Sequence, residues 1–383
     1  MKKILFVLYS YNIGGTAVST RNLINLLNKE KYEPHVWVMN DQGPLKDLYK
    51  DCNLVKTNFF ARALMLTSYK EIKGLCRIFA MLIRFARNRS LKLRKIIYHI
   101  AVKRSINPSE YDTIVACKEG NETDFVSYIR HNNKVAWMRC DYIKHFREYQ
   151  IRNNKQKYDT FSRIVCVSET TMKNFLEIYP EFIQKTIFIH NPQDEELIRE
   201  LATKDDKDNR FKTDKITILS IGRIHPVKRF SMIPKIAKRL LEKGFDFCWY
   251  IIGEGDSVEL KKIKQEIVKN NVEDFVVLLG VKNNPHFYIN KADVLVTISE
   301  SEACPRVVNE AKILHTPVVS TDFSTIYEFI DNNKNGIIAP IEKIDDAIIK
   351  LFQDNKLYEQ IRKENENFKF DNTVIMKKIE TVL

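Results

Sequence analysis

Long apolar runs are missing from this chain of 383 residues. Arg or Lys breaks every apolar stretch well before the roughly 18 residues that a membrane span needs, which excludes a helical membrane-spanning protein. Cysteine is sparse and scattered: Cys52, Cys76, Cys117, Cys140, Cys166, Cys248 and Cys304, an odd number with no Cys-x-x-Cys pair. That pattern excludes a disulfide framework and a zinc ribbon and suits a reducing cytosol. Glycine is scarce too, with eleven in the whole chain, so each one is an informative choice. Acidic residues are nearly absent from 56–104, where thirteen Lys or Arg face a single acid, Glu71.

What is present is globular. Hydrophobic residues make up 44% and charged residues 29%, outside the range of disordered chains, and the length suits two domains rather than one core. The start of the chain, Met1-Lys2-Lys3 followed by Ile4 to Tyr9, has the charge of a signal peptide. Its apolar run is short and leads into Asn12-Ile13-Gly14-Gly15 without a cleavage site, so it reads as a first core strand. The net charge of +13 is concentrated in the 56–104 window. There Ile72, Leu75, Phe79, Leu82, Ile83 and Ala86 follow helical spacing, and Lys70, Lys73, Arg77, Arg84 and Arg87 fall largely on the other side. Such a basic amphipathic helix suits the headgroup region of an anionic membrane; packing on a domain core with a solvated basic face is the plainer reading. No recognition motif accompanies the charge, so nucleic acid is not an expected partner.

Two halves repeat one scheme. Strands are expected at Ile4–Tyr9, His35–Met39, Thr113–Ala116, Lys134–Met138 and Arg163–Val167, with helices starting near Thr16, Thr123 and Glu169. The second half has strands at Ile216–Ile221, Phe247–Ile252, Phe275–Leu279, Val294–Ile298 and Pro317–Ser320. Strand–helix alternation implies parallel sheets covered on both faces: an α/β protein of two Rossmann-like domains facing across a cleft. The expected boundaries are 1–198 for the first domain, with 366–383 returning to it, a charged linker at 199–213, and 214–365 for the second. Gly14, Gly15, Gly222, Gly253, Gly255 and Gly280 all follow expected strands, where the backbone turns or approaches a ligand.

The segment Ser301-Glu302-Ala303-Cys304-Pro305-Arg306-Val307-Val308-Asn309-Glu310 joins a buried strand to a helix. A proline suits the first helical position, and the N–H groups of residues 306 to 308 are then free to receive an anion. A carboxylate on each side of that seat suits a nucleotide-sugar, phosphate in the middle and hydroxyl-rich rings around it. For Glu310 the competing reading is an i,i+4 pair with Arg306. In Gly222-Arg223-Ile224-His225-Pro226-Val227-Lys228, a strand ends and two cations follow five residues apart. Arg223 offers a planar fork to phosphate oxygens and Lys228 a compact charge, both suited to the charge that builds on a departing diphosphate. Cys304 has no histidine nearby in sequence and reads as a passive small residue.

The spacing Glu302 to Glu310, with Pro305 inside and Glu310-Ala311 at its end, resembles the signature of family 4 glycosyltransferases. Gly14-Gly15, Gly222-Arg223 with Lys228, and Gly253-Glu254-Gly255 follow the family's order, so the resemblance covers most of the chain. It implies the GT-B fold and transfer of a sugar, with retention, from a nucleotide-sugar donor (UDP-linked in the expected case) to a glycan or lipid-linked acceptor in envelope polysaccharide assembly. It also implies a peripheral position at the cytoplasmic face of the membrane. By the same resemblance Arg223 and Lys228 grip the diphosphate, Glu310 binds the ribose, and Glu302 binds the transferred sugar. The N–H groups of Arg306 and Val307 meet phosphate behind Pro305, Gly280-Val281 meets the base, and Gly14-Gly15 faces the donor from the first domain. No cofactor or metal is expected: Asp206-Lys207-Asp208 lies in the polar linker, and the two cations supply what a metal would. Relatives often carry a histidine where this chain has Arg139, and often a glycine where it has His315. An arginine cannot act as a neutral acceptor, but it could touch a sugar hydroxyl or an acidic acceptor. Two alternatives stay open: a nucleotide-sugar epimerase on the same plan, and a non-catalytic glycan- or membrane-binding protein.

Overall fold

The computed structural model describes residues 1–11, 14–41, 43, 45–56, 74–143, 155–206 and 208–383. They form two compact units: Met1–Pro192 with Thr373–Leu383, and Gln193–Asn372.

The first unit is built on a seven-stranded parallel sheet in the order β3-β2-β1-β4-β5-β6-β7. Its strands are β1 (Lys2–Ser10), β2 (Tyr32–Asn40), β3 (Asn53–Val55), β4 (Thr113–Ala116), β5 (Lys134–Met138), β6 (Arg163–Cys166) and β7 (Thr186–Phe188). From Ile4 to Leu8 every residue is buried, as a strand covered on both faces requires. Chain order reverses between β1 and β4. Gly14 precedes the helix Gly15–Leu26 after β1, and Gly120 precedes the helix Asn121–Ser127 after β4. Inside the basic window stand two helices, Leu75–Arg89 and Leu91–Ser105; Lys70, Ile72 and Lys73 lie outside the described residues. The chain end returns to this unit: Thr113 Oγ1 donates to Leu383 O at 2.6 Å, and Ile379, Val382 and Leu383 are buried. The returning part is shorter than the expected 366–383, because Phe368 and Phe370 pack on a core cluster of the second unit.

The second unit holds a six-stranded parallel sheet in the order β10-β9-β8-β11-β12-β13. These strands are β8 (Ile216–Ile221), β9 (Phe247–Ile252), β10 (Val276–Gly280), β11 (Val294–Thr297), β12 (Val318–Thr321) and β13 (Ile337–Ala339). The sequence-based expectation of a linker at 199–213 is corrected. The helix Glu195–Thr203 buries Ile198 and Ala202 in the core beneath β8 and β9. The polar residues after it are fastened down: Asp208 pairs with Lys282 at 2.6 Å, and Asp206 accepts from Asn284 N at 3.1 Å. High charge hid an apolar pair at i,i+4, which is all that a half-covered helix needs. The short strands β3, β7 and β13, three residues each, were not expected from sequence; three residues carry too little periodicity to register.

Candidate active site

In the second sheet β8 and β11 are neighbours, with Leu295 in register with Leu219. The chain runs outward from β8 to β10 on one side and from β11 to β13 on the other. The crevice at the carboxyl ends of two such strands is the ligand position of open α/β sheets. Gly222 and Arg223 follow β8 directly, and Ser299 to Glu302 follow β11. The sequence therefore delivers its two motifs to adjacent strand ends.

Three loops are tied together here. Gly222 N donates to Ile252 O at 3.0 Å, Ile224 N to Glu254 O at 2.8 Å, and Gly253 N to Gly280 O at 2.9 Å. The fit is tight: a Cβ on Gly253 would stand 1.9 Å from Gly222 O, and one on Gly255 2.2 Å from Ile224 O. These two glycines are needed because backbone passes backbone. Glu300 N donates to Val227 O at 2.8 Å, which holds the turn Pro226–Lys228 against the end of β11.

Lys228 Nζ meets Glu302 Oε1 at 2.8 Å, with both side chains largely covered. Ser299 Oγ donates to the same oxygen at 2.7 Å, and Thr325 Oγ1 holds the Glu302 carbonyl at 2.6 Å. Glu310 is anchored in the same way. Arg306 binds its Oε1, and His286 Nε2 stands 3.9 Å from that oxygen, beyond hydrogen-bond reach. Burial alone would push the Glu310 carboxyl up, but Arg306 and His286 overcome it and hold the group at about 2. In both carboxylates the anchored atom is Oε1. Among the described residues Oε2 has no partner in either, so each acid keeps one oxygen for a ligand hydroxyl.

Between them the helix Arg306–Ile313 begins. Pro305 is the residue before the helix, not its first residue as the sequence suggested. The N–H of Val308 is also not free, since it donates to Pro305 O at 3.1 Å. Arg306 and Val307 retain unpaired N–H groups among the described residues. Arg223 is exposed, and no described carboxylate lies within ion-pair distance. Gly280 has a φ of 76°, and Val281 beside it is exposed. The structure thus gathers Gly222, Arg223, Lys228, Glu302, Pro305, Arg306, Val307 and Glu310 around one pair of strand ends. Gly280 and Val281 join through Gly253.

In the first unit, Gly14, Gly15 and Arg139 lie at the carboxyl end of its own sheet. A Cβ on Gly14 or Gly15 would meet nothing within 4 Å. Arg139 is engaged internally: its N donates to Glu119 Oε2 at 2.7 Å and its Nε to Cys117 O at 2.8 Å, and Asn191 takes its Nη1. Glu122, buried nearby, accepts from Tyr9 N at 3.1 Å; burial raises its carboxyl to about 7. His315 takes the left-handed conformation, φ 62°, just past a helix end, which explains why glycine suits that place. Its ring is held by Arg199 at 3.1 Å and Asn365 O at 2.8 Å.

Sequence reasoning missed His286, Ser299, Thr325 and Asn191. Ser299, a polar residue closing a buried strand, carried a usable signal; Thr325 and Asn191 reach their partners only through the fold. Among the described residues no group of three or more His, Cys, Asp or Glu could hold a metal ion.

Residues 202–368 match the family model of glycosyl transferases group 1. The chain is 25% identical over 247 residues to the poly(ribitol-phosphate) alpha-N-acetylglucosaminyltransferase of Staphylococcus aureus, covering 63% of this chain and 48% of that protein. It is 24% identical over 365 residues to the N-acetylgalactosamine-N,N'-diacetylbacillosaminyl-diphospho-undecaprenol 4-alpha-N-acetylgalactosaminyltransferase of Campylobacter jejuni, covering 93% and 92%. Among solved structures, Anabaena HepE in complex with UDP-glucose matches with a TM-score of 0.73 at 17% identity, over 100% of this chain and 99% of that one. The chain spans about half the length of several of the curated relatives it matches. The structural likeness carries the fold, two Rossmann-like α/β domains on the GT-B plan. The sequence match makes residues 202–368, within the second unit, similar to glycosyl transferases group 1.

Proposed function

We propose that the protein is a retaining, metal-independent glycosyltransferase of family 4. It moves a sugar from a UDP-linked donor to a glycan or lipid-linked acceptor in envelope polysaccharide assembly, at the cytoplasmic face of the membrane. The observation that carries this reading is the pair of half-anchored carboxylates, Glu302 and Glu310, on either side of the open N–H groups of Arg306 and Val307. Two oxygens fixed for hydroxyls and an anion seat between them match the order of groups in a nucleotide-sugar.

The chemistry follows from that order. The bond between the sugar carbon and the diphosphate oxygen breaks, and the acceptor oxygen bonds the same carbon from the same face. The acceptor proton passes to the departing phosphate oxygen. Negative charge grows on the diphosphate, and Arg223, Lys228 and the helix start stabilise it in fixed positions. Lys228 is paired with Glu302, which spares a largely covered cation the cost of standing alone. The activities of the Staphylococcus and Campylobacter relatives, transfer to a ribitol-phosphate polymer and to a diphospho-undecaprenol-linked sugar, support an envelope acceptor. HepE, solved with UDP-glucose, supports a UDP donor.

The test is a thermal shift with UDP, then a panel of UDP-sugars scored by released nucleotide. UDP at about 100 times its dissociation constant adds about 2.7 kcal/mol. Absence of any shift at millimolar UDP overturns the donor assignment. Free UDP appearing with a glycosylated acceptor separates transfer from epimerisation. Activity that survives EDTA supports metal independence, and activity abolished by EDTA and restored by Mg²⁺ refutes it.

A further inference from the structure

The helix Leu75–Arg89 turns the wrong way round for a core helix. Its small and middle residues face the unit: Ala80 is buried and Ile83 packs on the core. Its large apolar residues face out. Leu75 is 85% exposed, Ile78 58%, Leu82 62% and Phe85 61%, at spacings of three and four that make one stripe. The next helix, Leu91–Ser105, is seated by Tyr98, Ala101 and Val102, all buried, with Tyr98 stacked on Tyr128 at 4.5 Å. It adds Leu93 and Ile96 to the exposed apolar surface. Half of the exposed large hydrophobic residues described anywhere in the chain lie on these two helices. A patch of that extent marks an interaction surface.

Charge selects the partner. Residues 75–105 contain nine Lys or Arg and no Asp or Glu, and Arg77, Arg89, Lys92 and Lys95 are exposed beside the stripe. Arg89 places its guanidinium over the Phe85 ring at 5.1 Å, a cation–π contact at the edge of the stripe. A second copy of this chain would set nine cations against nine, with no acid between them. A nucleic acid would leave the stripe uncovered. An anionic bilayer meets both demands, with acyl chains for the stripe and headgroups for its flanks. At 15 residues each, the helices are shorter than the ~20 that a span needs, so they lie on the surface rather than cross it.

We propose that the outward face of these two helices is a docking surface for an anionic lipid bilayer, seating Leu75, Ile78, Leu82, Phe85, Leu93 and Ile96 at the boundary between headgroups and acyl chains. The proposal deepens the membrane part of the function proposed above and rests on it; it does not depend on the sugar-transfer chemistry. It also corrects the face drawn from sequence: Ile83 turns inward, and Ile78 and Phe85 take its place outside.

The test is flotation of the full-length protein with phosphatidylcholine vesicles, with and without phosphatidylglycerol, at low and high salt. The expected result is binding only with phosphatidylglycerol, weakened by salt. Leu82→Glu with Phe85→Glu, and separately Arg77→Glu with Lys95→Glu, should each lower the bound fraction at least about tenfold. The UDP thermal shift should stay at the parent's value in both, which certifies the fold. Three results overturn the proposal. One is a parent that stays with the soluble fraction at both compositions. Another is a Leu82→Glu, Phe85→Glu variant that floats like the parent. The third is a lipid-free dimer of the parent, by light scattering, that the same two substitutions dissolve. A parent that floats as expected but shows no UDP shift keeps this proposal and removes only the donor assignment.

Discussion

Glu310 keeps its charge in a nearly dry position because Arg306 lies one turn before it on the same helix and His286 reaches it from another. Its carboxyl titrates at about 2, below the ordinary value, so ionisation stabilises the folded state. That contribution is complete above about pH 4.5 and is lost as the pH falls toward 2; its ceiling is about 3 kcal/mol. Urea midpoints measured across that range should fall in the parent, and the slope should be shallower in Glu310→Gln. Removing the partner is worse. Arg306→Met strands the carboxylate and should cost about 3–5 kcal/mol. Glycines separate in the same way. Gly253→Ala drives a methyl into Gly222 O and should destabilise by about 1–3 kcal/mol while disturbing Arg223. Gly14→Ala meets nothing and should leave the melting temperature nearly unchanged; transfer assays on both variants would show whether the bare Gly14 backbone is needed by a ligand.

At the scale of elements, the turn carrying Lys228 is held by Glu300 N from below and by Glu302 at its tip. Lys228→Ala should therefore lower kcat by at least about a hundredfold, as loss of a preorganised charge stabiliser does, and should also lower stability, because Glu302 Oε1 keeps only Ser299. Ser299→Ala removes one of two bonds to Glu302 and should act more mildly, which steady-state rates on the two variants would establish. Most elements were legible. β4, β5, β8 and β9 fall on the residues expected, because buried parallel strands are continuous apolar runs bounded by turn residues. The helix Glu195–Thr203 was read as linker because its buried face is two residues wide. The basic helix was found with both orientations left open, since hydrophobic periodicity shows that a stripe exists and not which way it faces; the structure exposes Leu75 and Leu82 of the expected stripe and turns Ile83 inward. Pro305 missed its place by one residue, because helix ends depend on local backbone angles that composition constrains only loosely.

At the scale of the molecule, the chain end is part of the first unit's core. Deleting 373–383 would strip the bond from Thr113 to Leu383 and uncover the neighbours of Ile379, Val382 and Leu383, buried apolar side chains worth about 1.5–3 kcal/mol each. A two-step thermal unfolding curve with the first-unit transition lowered is the expected signature, and an unchanged curve would show the tail to be dispensable. By itself the sequence determined the two α/β units, the candidate residues and the order in which they arrive. Those are properties of local pattern: apolar runs, scarce glycines after strands, acids and cations at set spacings. Only the tertiary structure decided which oxygen of each glutamate is anchored and which is open, that Arg139 is bound to Glu119, Cys117 and Asn191, and that a basic helix shows its apolar side to the outside. These depend on groups far apart in the chain meeting at hydrogen-bond distance, which no local pattern encodes.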